Sequence, residues 1–299
     1  MAITGPILAI GDVRWETVQG EPRLGGWAAG FASRLAALGR RVDIAAAVGT
    51  DEAGSKAIQE LLSLGLGTHL IQRVSDFATD SANVEISGEG IPTYRSLQLA
   101  AGGEVAARQD LMDVVNDYEV LYCNSYIHNS VVAGRTLQGF LDASPPSFKI
   151  YDVRMTGAPF ARPALEAALG FASVFRVTSD DVPTLCQDLG LPFLEPEFFA
   201  TAITERYGVS YCLVTDPLMG SAISSIVGEQ ISVPHCVSQV RDLLGWHDAF
   251  LAGFVHHVLL GSSLERCCLA GVHYADVATQ ASGAINHSSP EDITAIKAS

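Results

Sequence analysis

D-L-L-G-W-H-D-A-F-L-A-G-F, at residues 242–254, joins a glycine turn to an apolar helix expected over residues 249–260. Such a turn presents backbone N–H groups and the positive end of a helix dipole to a phosphate, and an aspartate within it can take the proton of an attacking hydroxyl. Asp248 stands in this turn after Gly245, Trp246 and His247, where a proton-accepting role is one assignment open to it. The competing assignment for Asp248 is a plain N-cap or first-turn carboxylate of the helix.

Upstream of this turn, apolar runs at residues 120–123, 148–152, 174–177 and 211–215 alternate with helical segments such as 163–169. That alternation predicts an α/β fold, a mostly parallel sheet covered by helices on both faces. The first strand, 7–10, ends in Gly11-Asp12, and a ligand is expected at the C-terminal end of such a strand. Helices are expected over 28–38, stopped by Gly39, and over 52–64, with a strand over 42–48 between them. Residues 15–20 read as an exposed strand and 82–97 as a hairpin broken at Gly88-Glu89-Gly90; together they suggest a small lid sheet drawn from about 12–24 and 80–100 of one domain spanning 1–299. The polar tail 288–299 is expected to be loosely held.

Composition narrows the function classes. The chain has 299 residues, 48% of them hydrophobic, enough for a large core. With 33 acidic and 18 basic residues the formal net charge is −15, which argues against nucleic acid or an anionic membrane as partner and requires any phosphate ligand to find local donors. The longest apolar stretch, 249–260, is too short to span a bilayer and contains His256 and His257. The six cysteines are scattered, without C-x-x-C or metal spacing, which fits free thiols in a reducing, cytoplasmic setting and no metal site of their own.

Three ordered stretches resemble the ribokinase (PfkB) family of carbohydrate kinases, the fructokinases in particular. They are G-D-V-R-W-E at 11–16 with L-G-G-W-A-A-G-F-A-S-R-L-A-A-L-G at 24–39; V-G-T-D-E-A-G at 48–54 with N-V-E at 83–85 and P-T-Y at 92–94; and the segment 242–254 quoted above, which resembles D-T-x-G-A-G-D-x-F-x-A-G-F. Weaker echoes lie at Y-D-V-R, 151–154, and T-S-D-D, 178–181. The resemblance implies a β lid over a sugar, transfer of the ATP γ-phosphoryl group to a sugar hydroxyl with Mg²⁺ on the nucleotide, and a homodimer paired through the lid. It assigns Asp248 as the base and Gly245, Trp246 and His247 to the anion hole, and places Glu16, Gly25, Gly26, Gly30 and Arg154 on the substrate, with Asp12 a further candidate by its strand-end position, and Thr178, Asp181, Thr215, Asp216 and Gly220 on the nucleotide.

Several of these positions depart from the family pattern. Glu16 stands where the family carries an aspartate, Gly30 and Arg154 where it carries asparagines, and Thr178-x-x-Asp181 where it carries N-x-x-E. Pro217 takes the place of a glycine in the nucleotide segment and removes an N–H. Trp246 and His247 replace Ala and Gly in the anion hole, where a ring either narrows the hole or, as the His247 imidazole, donates to an anion. Arg154 is a planar cation suited to clamping a carboxylate or phosphate, or else one half of an ordinary ion pair. Two readings of function follow: an ATP-dependent kinase for a sugar, nucleoside or acidic sugar, or a catalytically silent homologue that binds a ligand or a protein. Of the other histidines, His128 follows a parallel strand and is a candidate to face the cleft; His256 and His257 are expected to be structural.

Overall fold

The structure is a computed structural model in which residues 2–98, 100–143, 147–154, 162–234, 240–285 and 288–299 are described. The first hundred residues contain β1 (Ile7–Ile10), β2 (Arg14–Val18), β3 (Glu21–Gly25), α1 (Trp27–Ala37), β4 (Val42–Ala45), β5 (Ala47–Gly49), α2 (Glu52–Ser63), β6 (Gln72–Val74), β7 (Asp80–Ile86) and β8 (Pro92–Gln98). Beyond them come α3 (Gln109–Asp113), β9 (Val120–Asn124), α4 (Val131–Ala143), β10 (Phe148–Asp152), α5 (Arg162–Phe171), β11 (Val174–Thr178), α6 (Val182–Leu189) and α7 (Pro196–Tyr207). The remainder is β12 (Tyr211–Thr215), β13 (Ser221–Ser225), β14 (Gln230–Val233), α8 (Trp246–Leu260), α9 (Leu264–Thr279) and α10 (Pro290–Ala298).

Among the described residues the main sheet runs β14-β13-β12-β11-β10-β9-β1-β4. It is parallel from β4 to β12, as the alternation predicts, while β13 and β14 add an antiparallel edge that the sequence pattern did not separate. Helices cover both faces, so the central strands are apolar on both sides. Ile7 and Ala9 enter one core with α1, α8 and α9, while Leu8 and Ile10 enter the other with α4 to α7. Helix α8 is buried nearly all round, between α1 and α9. A Cβ on Gly253 would fall 2.4 Å from the Ala270 carbonyl oxygen, so the two helices meet almost backbone to backbone there.

A second sheet, β3-β2-β7-β8, forms the lid-like element expected from 12–24 and 80–100; Leu99 of that span lies outside the described residues. Strand β2 is not an exposed strand. Arg14, Glu16 and Val18 are buried and point inward at period two, which places two charged side chains under the sheet.

Three further expectations need correction. The strand at 42–48 is two strands, because β4 joins the main sheet whereas β5 turns away to pair with β6. The helix expected to begin at Ala249 begins at Trp246, with Gly245 as its N-cap, so Asp248 is a first-turn residue and not the cap. The tail is a capped helix: Ser289 and Asp292 form a capping box, Ile296 is fully buried, and Arg266 donates to the carbonyls of Ala298 and Ser299. No helix among the described residues is long and apolar enough to cross a membrane. Cys123, Cys186, Cys212, Cys267 and Cys268 are free and buried, and Cys236 lies outside the described residues.

Candidate active site

The site is assembled at the C-terminal ends of the parallel strands, where the first turn of α8 faces the lid. Its floor begins at Gly245, held at φ 71°. A Cβ there would meet the Ala284 carbonyl oxygen at 2.3 Å, so both the left-handed conformation and the contact require glycine. No side chain caps this helix start, which leaves first-turn N–H groups available to an anion.

The two rings introduced into the turn go different ways. Trp246 is buried and stacked on Phe250 with centroids 5.4 Å apart, so its indole is spent on the core. The expected narrowing by a large ring therefore rests on His247 alone. The His247 Nδ1 lies 3.0 Å from the Thr215 hydroxyl, which also accepts from Arg176 Nε at 2.8 Å. Burial, with Arg176 and Arg154 adding to it, pushes the imidazole well below its usual pKa. The ring is thus neutral at physiological pH. The Thr215 hydroxyl also reaches the Val177 carbonyl at 3.3 Å, so either it or Nδ1 can be the donor in the contact with His247.

Asp248 closes a chain of alternating buried charges. Arg176 Nη1 donates to Asp152 at 3.0 Å, Arg154 Nε donates to the other Asp152 oxygen at 2.8 Å, and Arg154 Nη2 pairs with Asp248. Tyr122 adds a hydroxyl donor to Asp152 at 3.0 Å. Burial raises the Asp248 carboxyl to about 6, against the opposing pull of Arg154. Gly30 makes room for it, since a Cβ there would stand 2.5 Å from Asp248 Oδ2. Of the two roles open to Arg154, the structure shows the ion pair.

Across from the floor, the lid side gathers Asp12, Arg14, Glu16 and Tyr94. Arg14 pairs with Asp12, donates from Nε to Glu16 at 2.9 Å and from Nη2 to the Tyr94 hydroxyl at 3.3 Å. Asp12 also accepts from the backbone N–H groups of Trp27 and Ala28 and from the Asn124 amide. The Tyr94 hydroxyl donates to Glu16 at 3.2 Å, and the same phenol feels the charge of Asp248, so lid and floor share one electrostatic environment. Trp27 joins them physically: the guanidinium of Arg14 lies 4.2 Å from its ring and that of Arg154 5.8 Å.

Gly25 and Gly26 shape this wall. A Cβ on Gly25 would sit 2.4 Å from the Glu16 carboxyl carbon, and Gly26, at φ 106°, packs against the Asp12 carbonyl. Glu16 Oε2 is buried with no hydrogen-bond partner among the described residues, a carboxylate oxygen left for a donor from elsewhere.

On the nucleotide side, Thr178 donates to Asp181 at 2.6 Å, and burial raises the Asp181 carboxyl. Asp216 pairs with Ser179, and its other oxygen accepts from Leu218 N and Met219 N at 2.8 and 2.9 Å. The aspartate therefore shapes a turn that ends at Gly220, φ 98°, and presents Met219 to solvent. No group of three or more His, Cys, Asp or Glu among the described residues is arranged to hold a metal ion. His128, half-buried, lies against Tyr151, whose ring belongs to the core on the opposite face of the sheet from α8. His256 accepts from Arg40, and His257 contacts Ser262 and the Ile296 carbonyl, both structural roles.

Sequence reasoning missed Arg14, Asp152 and Arg176 as site members. The signal was present for each. Arg176 interrupts the apolar strand V-F-R-V-T, and Arg14 and Asp152 sit two residues from Glu16 and Arg154, on the same faces.

Comparison with known proteins bears on this arrangement. The sequence matches the family described as "pfkB family carbohydrate kinase" over residues 9–292. No curated protein matches it. A putative ribokinase II from E. coli in complex with ATP and Mg²⁺ superposes with a TM-score of 0.84 at 20% identity, covering 98% of each chain. A fructokinase from Xylella fastidiosa with bound ATP gives 0.81 at 18%, again covering 98% of each. A nucleoside kinase from Burkholderia thailandensis in complex with inosine gives 0.79 at 14%, covering 98% of this chain and 97% of that one.

Proposed function

The chain belongs to the pfkB family of carbohydrate kinases, and from that premise we propose that it transfers the γ-phosphoryl group of ATP to a hydroxyl of a sugar or sugar-like acceptor, with Asp248 as general base. The observation that carries this is Asp248 itself: a buried carboxyl near pKa 6, in the first turn of an uncapped helix, with the buried carboxylates Asp12 and Glu16 on the lid side. A base is most effective when its pKa lies close to the working pH.

In this reading the acceptor hydroxyl lies between Asp248 and the lid residues Glu16 and Asp12. Its proton passes to the Asp248 carboxylate as its oxygen bonds to the γ-phosphorus. The bond from that phosphorus to the β,γ-bridging oxygen breaks, and ADP leaves. Charge on the transferring group meets the α8 N-terminus, whose N–H donors are fixed before the reaction starts, beside the His247 ring. Asp181 and Asp216 are the carboxylates available to a nucleotide-bound Mg²⁺, directly or through water, and Thr178, Thr215 and Gly220 line the same side. The metal, when bound, neutralises phosphate charge.

Because Asp248 must be ionised, kcat/KM is expected to rise with pH through about 6. Arg154 lowers that pKa. Removing its charge by Arg154→Asn is therefore expected to move the acid limb to higher pH, which a pH–rate profile of both proteins checks. An unmoved limb would mean that another group limits the rate.

A second reading, a silent binder, is favoured by two observations: Arg154 already holds Asp248, and a histidine ring stands in the turn that would hold the anion. Coupled ADP-release assays over sugars, sugar acids and nucleosides, run beside thermal shift with Mg-ATP, separate the two. A saturating ligand at a hundred times its Kd stabilises the native state by about 2.7 kcal/mol. Turnover of any acceptor supports the kinase. Absence of both turnover and a Mg-ATP shift supports the silent binder.

A further inference from the structure

Behind the turn that opens α8 stands a cation to which the transfer reaction as described gives no task. Arg34, on α1, is only 2% exposed. Its Nη2 donates to the Ala284 carbonyl at 2.8 Å and lies 2.6 Å from where a Cβ on Gly245 would be, so the guanidinium touches the N-cap residue of α8 itself. Tyr274 supports the side chain, its ring 5.5 Å from the guanidinium and its hydroxyl donating to the Arg34 carbonyl at 3.3 Å.

The same two segments are joined a second time from the other side. Asp242, also buried, accepts from Leu244 N at 3.0 Å and from Gly283 N at 3.2 Å. Residues 242–245 and 283–284 are thus bound together by one buried anion and one buried cation. The junction falls on the left-handed glycine from which the helix starts. A positive charge fixed at this point adds to the potential of the helix N-terminus.

We propose that Arg34 is a built-in cation that sets both the shape and the potential of the anion-holding turn. It is a positioning residue, since it acts through Gly245 and the first turn of α8 and touches no reactant. The proposal rests on the kinase reading above. A cavity of about 160 Å³ lies alongside it, lined by Ser33, Arg34, Tyr274, Ile285 and Ser288 among others, and gives a small ion a way in once the side chain is shortened.

The test uses the full chain with Arg34→Ala, Arg34→Met and Arg34→Lys, assayed with whichever acceptor the wild type turns over. In Arg34→Met, kcat is expected to fall about 10–100-fold, as for a site displaced by around an ångström. Acceptor KM should stay within about twofold, since the acceptor wall is untouched. Arg34→Lys should retain most of the activity by keeping the charge. Guanidinium ion at millimolar concentration should restore at least about tenfold in Arg34→Ala but not in Arg34→Met, whose side chain fills the space. Wild-type kcat in Arg34→Met overturns the proposal. So does a loss in all three variants that tracks their melting temperatures and is not rescued, which would mark a merely structural arginine. A wild type with neither turnover nor a Mg-ATP thermal shift removes the kinase reading and this inference together, whereas an active wild type with indifferent variants removes this inference alone.

Discussion

Replacing Asp248 with asparagine is expected to lower the rate of phosphoryl transfer by about 10²–10⁴-fold, the range general-base catalysis contributes. The asparagine is nearly isosteric, and its carbonyl oxygen can still accept from Arg154, so the charge chain on the floor keeps its shape. What disappears is a proton acceptor in the first turn of α8. Stabilisation by Mg-nucleotide should survive, because the anion-holding groups, the α8 N–H donors and His247, are unchanged. Steady-state rates and thermal shifts on the same preparation check both halves. A loss smaller than tenfold would place the base elsewhere, with Glu16 the next carboxylate to test. A matching loss of nucleotide response would mean that the substitution had disturbed the turn.

The second large effect is on stability. Asp152 is fully buried and accepts from Arg154, Arg176 and Tyr122, so it neutralises two guanidinium groups from the middle of the sheet. Asp152→Leu is expected to cost about 3–5 kcal/mol, the price of leaving buried charge without its partner. Against a total stability of about 5–15 kcal/mol, that is a large share. Urea unfolding should show a lowered midpoint with an unchanged slope. The double variant Asp152→Leu/Arg176→Met should recover part of the loss, since one stranded cation goes with the anion. An unchanged midpoint in the single variant would show that both arginines find other partners.

The fold was legible in the sequence wherever burial is symmetrical. Strands β1, β9, β10, β11 and β12 are apolar on both faces, so their composition alone separates them from the amphipathic helices between. The lid was legible from its turn residues. The break at Ala46 was not, because β4 and β5 are equally apolar and only their pairing partners distinguish them. The tail was misjudged on composition, although Ser289-Pro290-Glu291-Asp292 carries a helix-start signal of its own.

At the site, the structure brings together residues that the sequence singled out, Asp12 with Glu16 through Arg14, and Arg154 with Asp248. What could not be read was direction. Trp246 and His247 are neighbours on one helix turn, and which of them enters the core is decided by Phe250 and the stacking it offers, a tertiary fact. Arg14 and Arg176 were overlooked because charged residues in strands are ordinarily sought at the surface. Here they face inward, each matched with carboxylates distant in sequence or on the same strand face.

The order of the main sheet has a consequence for how the protein is made. Strand β1 pairs with β4 and β9, and each strand after β9 then joins its immediate predecessor, so the sheet can lengthen along one edge as the chain leaves the ribosome. The helix layer over α1 cannot follow that order, since its covering partner α8 is synthesised roughly 200 residues later, about 10–40 s at ordinary translation rates. Through that interval Phe31 has Tyr122 of β9 to stack on, but the side of α1 that α8 covers stays open, the kind of surface at which chaperones bind and aggregation begins. Arrival of α8 covers that side of α1 and brings Asp248 to Arg154 in the same docking event.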